Sequence, residues 1–336
     1  MRSPAARAWD STPPSRRRGQ GPLVVLAALL LVPSLLSTVL RVFPPTDDAP
    51  ALVASFISYG LLGYLAALVL LLAALVRARR RTPLVVVLVL VLGLTAAHLS
   101  WVVPLFVPDH RPARTPTITV LSLNVYRGEA DPQALVAAAE QVDIVVLLET
   151  TPDWLRSLEP MGWDTRFPYA LGSPRDGSFD TAVYSRFPLG GSTLIGPTSF
   201  QQWFTTVDAP GIGVIRLAGV HPCNPYCGSN RWQSEHAALR AVVRPYLDQP
   251  MIVAGDFNAV DDQGPMQTLR ADGLRSATDL TGAGWLPTYP ANRVFPPLLP
   301  IDHILLSPRL TATSLHRLRI PGTDHLGLVA TVAGTS

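Results

Sequence analysis

Hydrophobic and polar positions follow two different rhythms along the chain. Three long apolar runs, 22–40, 51–76 and 83–107, contain no Asp, Glu, Lys or Arg. About 20 apolar residues of helix cross a bilayer core, so each run predicts a transmembrane helix. Beyond residue 116 the apolar runs shorten to strand length and are punctuated by turn residues. Thr117–Asn124 reads as a strand, Asp131–Gln141 as a helix entered through Asp131-Pro132, and Asp143–Glu149 as a buried strand. Thr181–Ser185, Trp203–Val207 and Val214–Val220 continue as strands, and Arg231–Leu247 as a helix. Met251–Ala254, Ile304–Leu306 and Leu326–Val332 complete the strand cores. The mixture predicts an α/β (α+β) domain of two packed sheets with outer helices.

Charge orients the two parts. All 27 basic residues are Arg, and residues 1–107 hold 10 of them against three acids. Arg16, Arg17 and Arg18 precede the first run, and Arg77, Arg79, Arg80 and Arg81 separate the second from the third. Cytoplasmic flanks retain positive charge, so the tail 1–21 is expected inside. An odd number of crossings then puts everything after Val107 outside the cell membrane. The first run exceeds a signal-peptide core in length, and no clear Ala-x-Ala site follows it. Trp101 suits an interfacial anchor, and His98 is expected to hydrogen-bond a neighbouring helix. The Pro-rich stretch 108–116 reads as a short stiff linker that keeps the domain 117–333 close to the bilayer.

The outer part carries 17 Arg against 21 acids, without the basic footprint of a nuclease that tracks a phosphate backbone. Its polar residues of interest follow apolar strands: Asn124, Glu149, Asp256-Phe257-Asn258, Asp302-His303 and Asp324-His325. Each alone is more often a turn former or cap. In Asp256-Phe257-Asn258 the two polar side chains lie two residues apart, so an extended backbone presents both on one face. Strand alternation sends His303 to the side opposite Asp302. Cys223 and Cys227 directly follow His221; outside the membrane they are expected to form a small disulfide loop. A zinc site is the competing reading and lacks two ligands.

The ordered set Leu-Asn-Val (123–125), Leu-Leu-Glu (147–149), Tyr-Ser-Arg-Phe-Pro (184–188), Gly-Val-His-Pro (219–222), Gly-Asp-Phe-Asn (255–258), Ile-Asp-His-Ile-Leu (301–305) and Gly-Thr-Asp-His-Leu (322–326) resembles the endonuclease/exonuclease/phosphatase family. The resemblance implies a four-layer αββα sandwich preceded here by three transmembrane helices. It also implies hydrolysis of a phosphoester by an in-line water with Mg²⁺ (or Mn²⁺). On that resemblance Glu149 looks like the principal metal ligand, with Asn124 beside it and Asp324 adding a second metal contact. Asp256 and Asn258 look like the pair that orients the water and holds the phosphate. His325 resembles the base or phosphate-binding imidazole oriented by Asp302, and His221 the imidazole that stabilises the pentavalent state or protonates the leaving oxygen.

Arg127, Arg175 and Arg231 are candidates to grip an anionic head group, Arg231 being taken as substrate-binding. Arg186 reads as a structural ion-pair partner, and His236 as helix surface; His110 and His316 carry no signal. A membrane address favours a lipid-linked phosphate or pyrophosphate of cell-envelope synthesis as substrate, with membrane lipids as neighbours. The layout is also similar to actinomycete membrane proteins associated with teicoplanin-type glycopeptide resistance. A membrane-anchored nuclease acting on nucleic acid and a sphingomyelinase-like phosphodiesterase are the competing enzymatic readings. A decayed domain serving as a membrane interaction module is the non-enzymatic one.

Overall fold

The computed structural model describes residues 19–78, 81–109, 111–175, 179–228 and 230–335. Arg16, Arg17, Arg18, Arg79, Arg80 and His110 lie outside the described residues. The chain opens with α1 (Gly21–Val42), α2 (Asp48–Ala54), α3 (Gly60–Arg77, preceded by a 3₁₀ turn from Ile57) and α4 (Thr82–Val102, extended by a 3₁₀ turn to Leu105). Gly21–Val42, Ile57–Arg77 and Thr82–Leu105 are long and apolar enough to cross a membrane. They pack through small residues. A Cβ on Gly63 would lie 2.1 Å from the Ser34 hydroxyl, so α1 and α3 approach at a distance no larger residue permits. Thr38 on α1 hydrogen-bonds both the Tyr64 hydroxyl of α3 (2.6 Å) and His98 Nε2 of α4 (3.0 Å). One polar cluster therefore ties all three helices together.

The second apolar run does not form one helix. Its first residues, expected in a span from 51, belong to α2, and the crossing-length helix begins at Ile57. Ala51 is fully buried in a core shared with Trp232, Phe257 and Met266, and its carbonyl accepts from Gln263 Nε2 at 2.7 Å. The apolar side of α2 is thus satisfied by the globular domain instead of lipid, a contact invisible to hydropathy.

The globular domain runs β1 (Thr117–Asn124), α5 (Pro132–Ala138), β2 (Ile144–Thr150), α6 (Pro152–Leu158), α7 (Trp163–Arg166), β3 (Tyr169–Leu171), β4 (Asp180–Ser185), β5 (Leu189–Ile195), β6 (Gln202–Ala209), β7 (Gly213–Val220), α8 (Arg231–Val243), β8 (Met251–Asp256), α9 (Gly264–Ala271), β9 (Arg275–Ser276), α10 (Ala277–Thr281), β10 (Asp302–Leu306), β11 (Leu310–Leu318) and β12 (Gly327–Gly334). Two six-stranded sheets form, in the orders β11-β12-β1-β2-β4-β3 and β5-β6-β7-β8-β10-β9. Each contains one parallel pair, β1 with β2 and β7 with β8.

Alternation builds the layers. Ile118 and Val120 of β1, Ile144, Val146 and Leu148 of β2, Ile252 and Ala254 of β8, and Ile304 and Leu306 of β10 fill the core between the sheets. The opposite faces, Leu121, Leu123, Val145 and Leu147, meet α5 to α7; Met251, Val253 and Leu305 meet α8 and α9. The Asp131 side chain accepts from the amides of Gln133 and Ala134, a cap of about 1 kcal/mol for α5. The result is the αββα sandwich.

The domain is docked on the apolar helices as well as tethered to them. Arg41 at the end of α1 ion-pairs Asp262 at 2.9 Å, and its guanidinium lies 5.2 Å from the Trp101 ring centre. Ser58 donates to the same carboxylate, the Tyr59 hydroxyl to the Leu298 carbonyl (2.8 Å), and Gly284 N–H to the Leu105 carbonyl (2.7 Å). The linker is itself held, since Asp109 N–H donates to the Asp279 carbonyl and Arg114 N–H to the Gly334 carbonyl.

Candidate active site

Rows of side chains that face between the sheets end in polar residues at one edge. On β1 the row Ile118, Val120, Ser122 ends at Asn124; on β8 Ile252 and Ala254 end at Asp256; on β10 Leu306 and Ile304 end at Asp302. Asp302 and Asp256 are direct neighbours in the antiparallel β8–β10 pair. Gly255 lets β8 deliver Asp256: its φ is +156°, and a Cβ would lie 1.9 Å from the Val220 carbonyl oxygen.

Glu149 breaks the alternation. By count it follows Val145 and Leu147, whose side chains face the outer helices. The β2–β4 register shifts between Leu147 and Thr150, and Glu149 adopts φ +57°. The irregularity re-aims its carboxylate into the cleft. Tyr126, Arg127 and Asn258 are likewise left-handed, at φ +48°, +56° and +47°. Such backbone costs of order 1–3 kcal/mol per residue and persists where neighbours enforce it. Here the Arg127 amide donates to Glu149 Oε2 (3.1 Å) and the Asn258 amide to Asp256 Oδ1 (2.8 Å).

The side chains converge. Asn124 Nδ2 donates to both Glu149 Oε1 and Asp256 Oδ2, each at 3.1 Å, so one amide bridges the two sheets' carboxylates. His221 Nε2 lies 3.7 Å from Asp256 Oδ2 and 3.9 Å from Glu149 Oε1; His325 Nε2 lies 3.6 Å from Asp256 Oδ2. His325 Nδ1 is 2.8 Å from Asp302 Oδ2, and its backbone N–H donates to Thr323. Asn258 donates through Nδ2 to the Pro222 carbonyl, next to His221. Of these, Glu149, His221, Asp256, Asn258 and His325 line a cleft of about 240 Å³, while Asn124 and Asp302 are buried outside its lining.

Burial pushes the Asp256 carboxyl up, with Asp302 adding to the rise and His325 and His221 opposing it. Burial would push the His325 imidazolium down, but the carboxylates of Asp302, Asp256 and Asp324 outweigh it and raise its pKa to about 10. Burial likewise brings Asp324 up to about 6, His325 opposing and Glu149 and Asp256 reinforcing it.

The donor set suits a divalent cation. Glu149, Asp256 and Asp324 bring three carboxylates into one cleft, and the buried Asp324 Oδ1 has no hydrogen-bond partner. Hard oxygen donors of this kind fit Mg²⁺ or Mn²⁺. Asp256, Asp302 and His325 also bring ligand atoms within 4.8 Å of one another. In that trio Asp302 Oδ2 is engaged by His325 Nδ1, which leaves the Glu149–Asp256 side the better cation seat.

Arg231, taken as substrate-binding, sits exposed at the start of α8 and does not line the cleft. Arg127 does, with its guanidinium 5.1 Å from the Phe179 ring centre. Arg175 pairs with Asp180 at 3.2 Å, and Arg186 lies 3.9 Å from Asp143. His303 faces away, its Nε2 2.8 Å from the Ala259 carbonyl oxygen. His316 is exposed. His236 is not helix surface: Trp232, Glu235, His236, Leu239 and Val243 share the buried face of α8. Its Nδ1 lies 2.8 Å from the Trp232 carbonyl, and burial lowers its pKa to about 4. Cys223 and Cys227 are joined by a disulfide, so no thiolate remains for zinc.

Other cleft residues gave no signal in the sequence. The Phe200 ring stacks on His221 with centres 4.8 Å apart and planes 11° from parallel, and Tyr289 leans on His325 at 4.9 Å. Buried Glu235 accepts from the Ser199 amide and hydroxyl and from the Cys223 amide, clamping the loops that carry Phe200 and His221. Leu52 and Ser55, from the connection between the first two apolar helices, line the same cleft.

A family model described as Endonuclease/Exonuclease/phosphatase family matches residues 121–325. Among solved structures, an endonuclease/exonuclease/phosphatase from Bacteroides vulgatus is similar at 15% identity and TM-score 0.53, covering 65% of this chain and 99% of that one. A functionally unknown conserved protein from Enterococcus faecalis V583 is similar at 14% identity and TM-score 0.52, covering 65% and 100%. D. rerio TDP2 complexed with single-strand DNA product is similar at 18% identity and TM-score 0.50, covering 64% and 98%. Identities this low speak for the fold alone. No curated protein matches the chain.

Proposed function

The chain belongs to the endonuclease/exonuclease/phosphatase family of phosphoesterases, and from that premise we propose that it hydrolyses a lipid-linked phosphate or pyrophosphate at the outer face of the cytoplasmic membrane. One observation carries the choice of substrate. Leu52 and Ser55, which sit between two membrane-crossing helices, line the same cleft as Glu149, Asp256 and His325. A site that takes part of its lining from the membrane unit is suited to a substrate with one end in the bilayer. Leu52, Leu299 and Ile301 offer apolar contact in the cleft lining, and the carboxylates, imidazoles and Arg127 offer polar contact.

In this reading Glu149 and Asp256, with Asp324 near, would hold Mg²⁺ or Mn²⁺, which would supply positive charge beside the phosphoryl group. Asp256 accepts the proton of the attacking water, and Asn258 orients the phosphate. The new bond joins the water oxygen to phosphorus as the bond to the leaving oxygen breaks. Asp302 fixes the orientation of His325, which takes the phosphate-binding role of its two. His221, braced by Phe200, donates to the developing charge or the leaving oxygen.

The test is phosphate release by the full chain in lipid nanodiscs from polyprenyl pyrophosphate, phospholipid and single-stranded DNA, with Mg²⁺ or EDTA. We expect metal-dependent release from the polyprenyl substrate and a loss of about 10²–10⁴-fold in His325→Ala. Consumption of DNA alone would overturn the lipid assignment. A link to envelope synthesis and glycopeptide resistance follows only if expression lowers teicoplanin susceptibility and the Glu149→Ala variant does not.

A further inference from the structure

We propose that the segment 284–300, between α10 and β10, is a membrane-interface loop that inserts Val294 and Phe295 into the outer leaflet beside the mouth of the cleft. Its sequence, Gly-Trp-Leu-Pro-Thr-Tyr-Pro-Ala-Asn-Arg-Val-Phe-Pro-Pro-Leu-Leu-Pro, contains no acid and a single cation, Arg293. Five of its residues are prolines, which carry no N–H, so fewer donors need a partner where water is scarce. Of the donors that remain, Ala291, Leu298 and Leu299 N–H groups are bonded to the carbonyls of Asp324 and Tyr289.

The loop is fixed at bilayer level by the apolar helices themselves. Leu298 accepts from the hydroxyl of Tyr59, in the outermost turn ahead of α3, and Trp285 packs edge-on against the same Tyr59 ring at 5.9 Å. At its other end Gly284 N–H binds the Leu105 carbonyl at the end of the third apolar helix. A segment tied to the outer ends of two membrane-crossing helices lies at the depth of head groups and first methylenes. Within it Val294 is fully exposed and Phe295 is 46% exposed. Phe56, 48% exposed, adds an apolar ring from the neighbouring turn, 6.1 Å from Tyr59. Trp, Tyr and Phe with one Arg is the composition that settles at a membrane interface, the Arg reaching lipid phosphates. Bilayer is the occupant already adjacent, so the patch needs no protein partner. From Leu298 the chain turns directly into Leu299 and Ile301 of the cleft lining. The inserted tip therefore stands where a lipid chain enters the site.

The native cysteines are paired, so single cysteines at Val294→Cys and Phe295→Cys can be labelled specifically with an environment-sensitive fluorophore in nanodiscs. Glu159→Cys, exposed on the helical layer over the first sheet, serves as the reference. We expect nitroxides on lipid acyl chains to quench positions 294 and 295 and aqueous iodide to quench only 159. Equal iodide quenching at all three sites would overturn the insertion. A second arm, which rests on the lipid-linked reading, uses Val294→Asp/Phe295→Asp: turnover of bilayer-embedded polyprenyl pyrophosphate should fall about tenfold, with that of a water-soluble short-chain prenyl pyrophosphate unchanged. Equal loss on both substrates would count against a lipid-entry role, and hydrolysis of neither by the unaltered chain would sink the substrate reading while leaving the quenching result to stand alone.

Discussion

The two sheets bring their carboxylates to the cleft by different means. In the second sheet the pleat alone suffices, since Asp256 continues the row of Ile252 and Ala254, and Asp302 that of Ile304 and Leu306. In the first sheet Asn124 obeys the same rule, but Glu149 belongs by count to the row that faces the helices and reaches the cleft only through a register shift and a left-handed residue. A ligand delivered by pleat comes with the fold. One delivered by a bulge depends on the contacts that hold the bulge, here the Asn124 amide and the Arg127 backbone N–H.

The largest expected effect tests whether both routes end at one site. Glu149→Ala and Asp256→Ala should each lower turnover by about 10²–10³-fold. The double variant should lose far less than the product of the two, because residues acting as a unit are not additive. Multiplicative losses in single-turnover assays would mean that the sheets serve separate steps. Next, Glu235→Gln should cost about 10–100-fold, as supporting residues around a site typically do. Because Glu235 acts through the Phe200 and His221 loops, Phe200→Leu combined with it should add little; independent losses would break that link.

A smaller effect lies in the helical layer behind the second sheet. His236 has a folded pKa of about 4 against 6.5 for the free side chain, so the unfolded chain binds the proton first. Its stabilising contribution is complete above pH 6.5 and is lost as pH falls toward 4, by at most about 1.4 kcal/mol per pH unit. Thermal melting in detergent should therefore drop between pH 7 and 4.5 in the native chain more than in His236→Leu; parallel curves would refute it. The smallest contrast is between two arginines. Arg127→Ala should raise KM about tenfold, the value of one charge-assisted hydrogen bond, whereas Arg231→Ala, outside the cleft, should stay within about twofold.

The residues that sequence reading placed well are those governed by local period. Asn124, Asp256, Asp302 and the outward turn of His303 follow from alternation along short apolar strands. Glu149 was legible by residue type and motif order, although its backbone was not, because a bulge depends on the partner strand. His236 shows a period misjudged: positions 232, 235, 236, 239 and 243 are spaced as one helical face, so the imidazole belonged with the buried set. Phe200, Tyr289 and Glu235 lie in loops or on a helix far along the chain and meet the site only through tertiary packing. Leu52 and Ser55 were hidden differently, because a hydropathy window cannot tell an apolar residue that faces lipid from one that faces protein.

That last pair bears on how the enzyme can be handled in isolation. A fragment cut free at residue 108 would keep the carboxylates and imidazoles of the cleft but lose Ala51 from its socket beside Trp232 and Phe257, and Leu52 and Ser55 from its lining. It would expose a sticky hollow and a misshapen entrance. Inhibitors selected on such a solubilised piece would be fitted to a doorway that the intact protein never opens.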